Sequence, residues 1–351
     1  MMFWLVGAAL LAATAGLFLA AIVALVFGAL AAALVVGAAF AASLAICLAL
    51  WLGARAYVRR VEARWPAAGR GIDAGAARTH VREVGGAGRP RVLLIHGANA
   101  NLNELWAPFA ADLARDFHVI AMDRPGMGYS TRPRRAHTLA AQAKRAADVL
   151  RATGDGPAII VGHSLGGAVA LRLALDAPEL VAGLVLLAPA ATPFPGKPIW
   201  WARLAATPLL GHIFCALIIP NLGPLISRAN IDQNFLPGAA PDHYYEQSAV
   251  GLAFRPGAFR ASAQDVCALS AELAAQAPNY PEILAPAIII TAEKDRVLSP
   301  KRHARALAAA LPAAELVIAP DCGHMPHQLR PDLALAAIRR VNAMAGVSAQ
   351  S

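Results

Sequence analysis

Gly162-His163-Ser164-Leu165-Gly166, with Gly167 behind it, sets one serine among small residues directly after the apolar run Ala158–Gly162. Glycine costs backbone entropy and packs nothing, so its repetition needs a reason. A sharp turn from strand to helix supplies one. The two elements nearly touch there, so only tiny neighbours fit, and the serine hydroxyl is lifted clear of the sheet. The helix that follows offers free N–H groups and the positive end of its dipole, both favourable to a developing oxyanion. A serine hydroxyl is a weak nucleophile and requires a base, and the base requires an orienting group. In the chain order serine, acid, histidine, Asp295 lies in "TAEKDRVLSP", just past the apolar run Ala287–Thr291, and His324 lies in "PDCGHMPHQLRP", just past Glu315–Ala319. Glu293 and Asp321 are rival acids by position. The chemistry these residues can perform together is acyl transfer.

Three distant segments can meet only if a regular scaffold brings them to one edge. Short apolar runs at Thr79–Val84, Arg91–His96, His118–Asp123, Ala158–Gly162, Leu184–Ala188, Ala287–Thr291 and Glu315–Ala319 read as strands. Several are unbroken Val/Ile/Leu, as expected for strands buried on both faces of a parallel sheet. Helical patterns at Thr138–Ala152, Gly166–Leu175, Pro300–Leu311 and Pro331–Ala345 separate most of them. The alternation predicts an α/β fold with a mostly parallel, doubly wound sheet over residues 76–345, and a tail at 346–351. Residues 191–285 lack a clear buried strand and carry apolar segments broken by Pro and Gly. They are expected to form an inserted helical cap over the C-terminal sheet edge, where ligands bind in open α/β sheets.

Of the 351 residues, 58% are hydrophobic, high for a soluble protein. The excess lies in residues 1–54, which hold no charged side chain. A bilayer core needs about 20 apolar residues as helix, so two spans fit better than one: near Phe3–Val26 and Leu30–Leu52, with a turn at Gly28. The run is too long, and too poor in basic residues at its start, for a cleaved signal peptide. Residues 55–75 read as a basic linker. From Arg55 to Arg91 nine arginines stand against Glu62, Asp73 and Glu83, a net of +6 within a chain total of +9. Positive charge beside the oily segment places the following domain on the cytoplasmic side of a bacterial-type inner membrane and attracts anionic headgroups. No interleaved aromatics or motif make that charge a nucleic-acid site. Cys47, Cys215, Cys267 and Cys322 show neither metal-type spacing nor a paired framework.

"LLIHGA", "MDRPGMGYS", "VGHSLGG", "TAEKDRVLSP" and "CGHMPHQLRP" together resemble the α/β-hydrolase fold family in its serine ester-hydrolase branch, over roughly residues 69–345. The resemblance implies Ser164 as nucleophile, His324 as base and then acid, and Asp295, rather than Glu293 or Asp321, as orienting carboxylate. It implies an oxyanion hole from the N–H groups of Ala98 and Leu165, with His96, Gly97, Gly162 and Gly166 shaping the loops. Family members that cleave epoxides or haloalkanes resemble this chain around "DRPGMGYS" but carry aspartate at the elbow; Ser164 points instead to esters. Carbon–carbon bond hydrolysis, perhydrolysis and a non-catalytic binding role on the same fold are the alternatives. His163 and Cys322 are expected to pack, His327 to be structural, and Asp123 to bond backbone amides. Asn99, Trp200 and Trp201 are the candidate substrate contacts, for a hydrophobic or lipid-like ester. No dinucleotide fingerprint or P-loop is present, so neither cofactor nor metal is expected.

Overall fold

The computed structural model describes residues 2–75, 77–86 and 88–348. Among the described residues eight strands form one sheet: β1 (Arg70–Ala74), β2 (Ala77–Val84), β3 (Arg91–Ile95), β4 (His118–Met122), β5 (Ala158–His163), β6 (Val181–Leu187), β7 (Ala287–Thr291) and β8 (Ala314–Ile318). Their order is β1-β2-β4-β3-β5-β6-β7-β8. β2 runs antiparallel to both β1 and β4, and every other pairing is parallel.

The unbroken apolar runs follow from side-chain alternation between two dry layers. Leu93, Ile95, Leu184, Leu186 and Ile289 join one core, while Val92, Leu94, Val185, Leu187, Ile288 and Ile290 join the other. In chain order the helices begin with α1 (Met2–Phe27), α2 (Ala29–Arg64), α3 (Asn103–Leu113), α4 (Leu139–Ala152) and α5 (Leu165–Asp176). The insertion between β6 and β7 contributes α6 (Trp200–Ala206), α7 (Leu209–Ile213), α8 (Ile219–Asp232), α9 (Tyr244–Gln247) and α10 (Pro256–Gln276), and the chain ends through α11 (Ala306–Ala310), α12 (Pro326–Leu329) and α13 (Pro331–Ser348). α4 and α5 cover the first face, and α3 and α13 the second.

The N-terminal segment forms two helices broken at Gly28, whose φ of 90° suits glycine. A Cβ on Gly16 would lie 3.5 Å from that of Ala39, nearly equidistant from the break, so the helices form a hairpin. By length and composition α2 could cross a membrane, as could Leu209–Asp232, a third of whose most apolar window is buried.

One expectation needs correction. Residues 55–64 are no loose linker but the continuation of α2, and 70–74 form the edge strand β1. Tyr57, Val61 and Trp65 recur every four residues, so one helical face meets Ala249 and Leu252 of the cap. Tyr57 Oη donates to the Gly251 carbonyl at 2.8 Å and Trp65 Nε1 to the Glu246 carbonyl at 2.9 Å. The ion pairs Arg64–Glu246 and Glu62–Arg255, each at 2.8 Å, flank that contact. The basic count concealed a docking face. α3 also went unread, because its helical pattern is short and carries Pro108.

Candidate active site

Ser164 joins β5 to α5 with φ 51° and ψ −116°, a backbone conformation that residues with a Cβ avoid. The bend is pinned on both sides. Its N–H donates to the Leu187 carbonyl at 2.9 Å, and its carbonyl accepts from the amides of Gly167 and Ala190 at 3.0 Å. A Cβ on Gly162 would meet the Gly166 carbonyl at 2.5 Å, one on Gly166 would strike the Ile95 carbonyl, and one on Gly167 would come within 2.8 Å of the Pro189 Cβ. The glycine repetition therefore reflects contact between backbones.

The loops after β7 and β8 bring the other two groups to the same edge. His324 Nε2 lies 3.1 Å from Ser164 Oγ, and His324 Nδ1 lies 2.8 Å from Asp295 Oδ2. Asp295 Oδ1 accepts from the amides of Val297 and Leu298 at 2.8 and 2.9 Å. Burial pushes the Asp295 carboxyl up, but the His324 ring and those two amides outweigh it and hold it below its usual range. An ionised Asp295 accepts from Nδ1–H and so leaves the Nε2 lone pair facing the serine hydroxyl. The rival acids turn elsewhere: Glu293 pairs with Arg305 at the surface, and Asp321 is exposed.

On the opposite side of Ser164 the chain leaves β3 through His96, Gly97 and Ala98. Ala98 lines the cavity beside Ser164, and Leu165 opens α5, where amides have no intrahelical acceptor. His96 is wholly buried. Its Nδ1–H donates to the Gly97 carbonyl at 2.8 Å and its Nε2 accepts from the Arg124 amide at 3.0 Å. Burial, reinforced by Arg124, pushes the ring down to about 4, so it holds the loop as a neutral imidazole. Asp123 accepts from the amides of Leu102 and Tyr129 at 2.8 and 2.9 Å, which is the turn-holding role expected of it.

Sequence reasoning missed Arg124, although an arginine at the end of a buried strand is a signal that a partner must exist. It is fully buried. Its Nε and Nη2 donate to the His96 and Gly97 carbonyls at 3.0 and 2.9 Å, and its Nη1 reaches Asp265 of α10 at 2.7 Å. This one guanidinium ties the loop beside Ser164 to the cap.

A cavity of about 480 Å³ opens above Ser164, walled by Trp201, Phe214, Ile218, Leu222, Ile226 and Phe259 among others, with no Lys or Arg among the described lining residues. Asn99 lines it too, and its amide donates to Ser262 Oγ of α10 at 2.9 Å. Trp200 does not: it stands 42% exposed outside the wall, because the short helix α6 turns only one of two adjacent tryptophans inward. His163 does more than pack. Its Nε2–H donates to the His324 carbonyl at 3.1 Å, and its Nδ1 lies 3.0 Å from Glu104 Oε1. Burial pushes the His163 ring down, but Glu104 outweighs it and the net direction is up.

The profile of the alpha/beta hydrolase family matches residues 92–338. An uncharacterised protein of Mycobacterium tuberculosis is 31% identical over 250 residues, covering 69% of this chain and 72% of that protein. Lipase LipV of the same organism is 43% identical over 112 residues, 32% of this chain and 41% of the lipase. A solved 2-hydroxy-6-oxo-6-phenylhexa-2,4-dienoate hydrolase from a Rhodococcus species superposes with a TM-score of 0.65 at 24% identity, covering 78% of this chain and 97% of the other.

Proposed function

The chain belongs to the alpha/beta hydrolase family, and from that premise we propose that it is a membrane-anchored serine hydrolase cleaving carboxylic esters with hydrophobic acyl groups. One observation carries the reading: the hydrogen-bonded chain Ser164–His324–Asp295 opens directly onto an apolar cavity.

In this mechanism Ser164 Oγ attacks the ester carbonyl carbon while its proton passes to His324 Nε2. Asp295 stabilises the imidazolium and keeps Nδ1 protonated. The carbonyl oxygen, now anionic, is held by the N–H groups of Leu165 and Ala98, and each such donor lowers a barrier by about 3–4 kcal/mol. Collapse breaks the bond to the alkoxy oxygen, which leaves as an alcohol with the proton from His324. Water, deprotonated by the same Nε2, then attacks the acyl-serine, releases the acid and restores the hydroxyl.

The cavity wall supports the substrate class. A largely apolar wall with no Lys or Arg among its described lining residues favours an uncharged acyl chain over a carboxylate-bearing substrate such as a dienoate. LipV, named a lipase, agrees with this over the matched segment. The helical hairpin supports the anchor: Leu25, Phe27, Leu30 and Phe40 are each more than 60% exposed, an apolar surface that calls for lipid. Arg55, Arg59 and Arg60 then hold the hydrolase part on the cytoplasmic side.

The test is covalent labelling of the full chain by a fluorophosphonate, wild type beside Ser164→Ala, followed by rates on a series of acyl esters. Labelling is expected only in the wild type, with rates rising from acetate to longer chains. Equal labelling of the two proteins defeats the nucleophile; a preference for acetate defeats the substrate class.

A further inference from the structure

Next to the nucleophile, three polar residues converge from different elements: Glu104 of α3, His163 at the end of β5 and His327 of α12. They are 3%, 2% and 0% exposed, and one ligand atom from each lies within 4.8 Å of the other two. Buried polar groups ordinarily find hydrogen-bond partners. Among the described residues neither ring nitrogen of His327 has one, and neither has His163 Nδ1. Glu104 Oε1 lies 3.0 Å from that Nδ1, an ion-pair approach in which burial is offset by the carboxylate. The His163 and His327 rings pack against each other with centroids 4.3 Å apart.

The outer contacts of the group are already made. His163 Nε2–H donates to the His324 carbonyl at 3.1 Å, leaving Nδ1 as the lone-pair nitrogen, and Glu104 Oε2 accepts from the Gly97 amide at 2.8 Å. Metal-bound histidines almost always donate their second N–H to a carbonyl or carboxylate, and metal-bound carboxylates are themselves hydrogen-bonded. Two imidazoles and a carboxylate are donors that a first-row transition ion prefers, whereas calcium or magnesium would ask for oxygen throughout. Glu104 and His163 also line the cavity, the side from which a fourth, water ligand would come.

We propose that Glu104, His163 and His327 form a binding site for a divalent transition-metal ion, zinc foremost, next to the nucleophile and separate from the Ser164–His324–Asp295 chain. The ion would bond to Glu104 Oε1, His163 Nδ1 and one ring nitrogen of His327. It supplies the positive charge between opposed lone pairs that a proton otherwise supplies. The inference does not depend on which bond the enzyme hydrolyses. No local spacing could announce it, because the ligands come from three separate segments.

The experiment uses the full chain in detergent, stripped with a chelator and titrated with Zn²⁺ alone, and in parallel with Co²⁺ as a spectroscopic probe. One ion per chain is expected, with the visible absorption of a four-coordinate cobalt site and X-ray absorption scattering from two imidazoles. Ser164→Ala should bind as the wild type does. His327→Gln and Glu104→Gln should each weaken binding by more than the ~10–100-fold that loss of an outer-sphere partner costs. Failure to retain an ion, binding that survives both of those substitutions, or binding abolished by Ser164→Ala would overturn the proposal. The wild-type scattering needs no variant: without two imidazoles around the metal, the site does not exist.

Discussion

Arg124 and Asp265 meet at 2.7 Å with both side chains wholly buried, joining the end of β4 to α10 of the cap. Arg132 approaches the other Asp265 oxygen at 2.8 Å. Breaking a buried pair on one side leaves an uncompensated charge and costs about 3–5 kcal/mol. Asp265→Asn should therefore lower stability by about that amount. It should also depress hydrolysis, because Arg124 holds the His96 and Gly97 carbonyls beside Ala98. Denaturant unfolding and ester kinetics on Asp265→Asn and Arg124→Met, singly and combined, would measure the coupling. Strict additivity of the two substitutions would deny that the clamp exists.

The acid assignment can be separated from its rivals. Asp295→Asn keeps the volume but cannot hold Nδ1 protonated, and is expected to reduce kcat by about 10⁴ with little change in KM. Glu293→Gln, at a surface pair with Arg305, should stay within about twofold of wild type, since exposed ion pairs contribute about 0–1 kcal/mol. If Glu293→Gln proves the more damaging, Asp295 is not the orienting acid.

Stability should depend on pH through buried histidines, His96 and His303 among them. Burial pushes both His96 and His303 down to about 4, against about 6.5 in an unfolded chain. Between those values the unfolded chain binds protons that the folded chain refuses, so stability rises with pH there. Their contribution is complete above about pH 6.5 and is lost progressively down to about pH 4, each unit of difference being worth about 1.4 kcal/mol per group; His163, whose net direction is up, works the other way above about pH 6.5. Asp295, held below its usual range, adds its own loss further into acid. Thermal midpoints measured from about pH 6.5 to about pH 4.5 should fall steadily, and His303→Gln should flatten part of the slope. A midpoint unchanged across that window would contradict the argument.

Anchoring and docking make distinguishable predictions. If the hairpin of α1 and α2 lies in lipid, the full chain should sediment with membranes, resist alkaline carbonate and be released only by detergent. Trp65→Ala removes a ring packed against the cap together with its hydrogen bond to the Glu246 carbonyl. It is expected to lower the unfolding midpoint by a few degrees, for a loss of about 1–3 kcal/mol, without freeing the chain from the membrane. Recovery of the unaltered chain in the soluble fraction would defeat the anchor.

Much of this protein was legible without coordinates. Period-two burial on both faces writes β3, β5, β6 and β7 as continuous aliphatic runs. Backbone crowding at a sharp bend writes Gly162, Gly166 and Gly167 around Ser164. Chain order and loop position set His324 and Asp295 as candidates before any distance was known. These are local constraints, or constraints of order, and a linear string can carry them. What the tertiary structure decided are meetings between segments far apart in the chain. Asp295, not Glu293, reaches Nδ1, because the loop after β7 turns one carboxylate inward and leaves the other to Arg305. Trp201 walls the cavity and Trp200 does not. Residues 55–64 dock on a cap about 190 residues later in the chain. Arg124 finds Asp265 across 141 positions, and Glu104 finds His163 and His327. Side-chain partnership depends on distance and direction in space, and residues this far apart in the chain acquire both only once the sheet has folded.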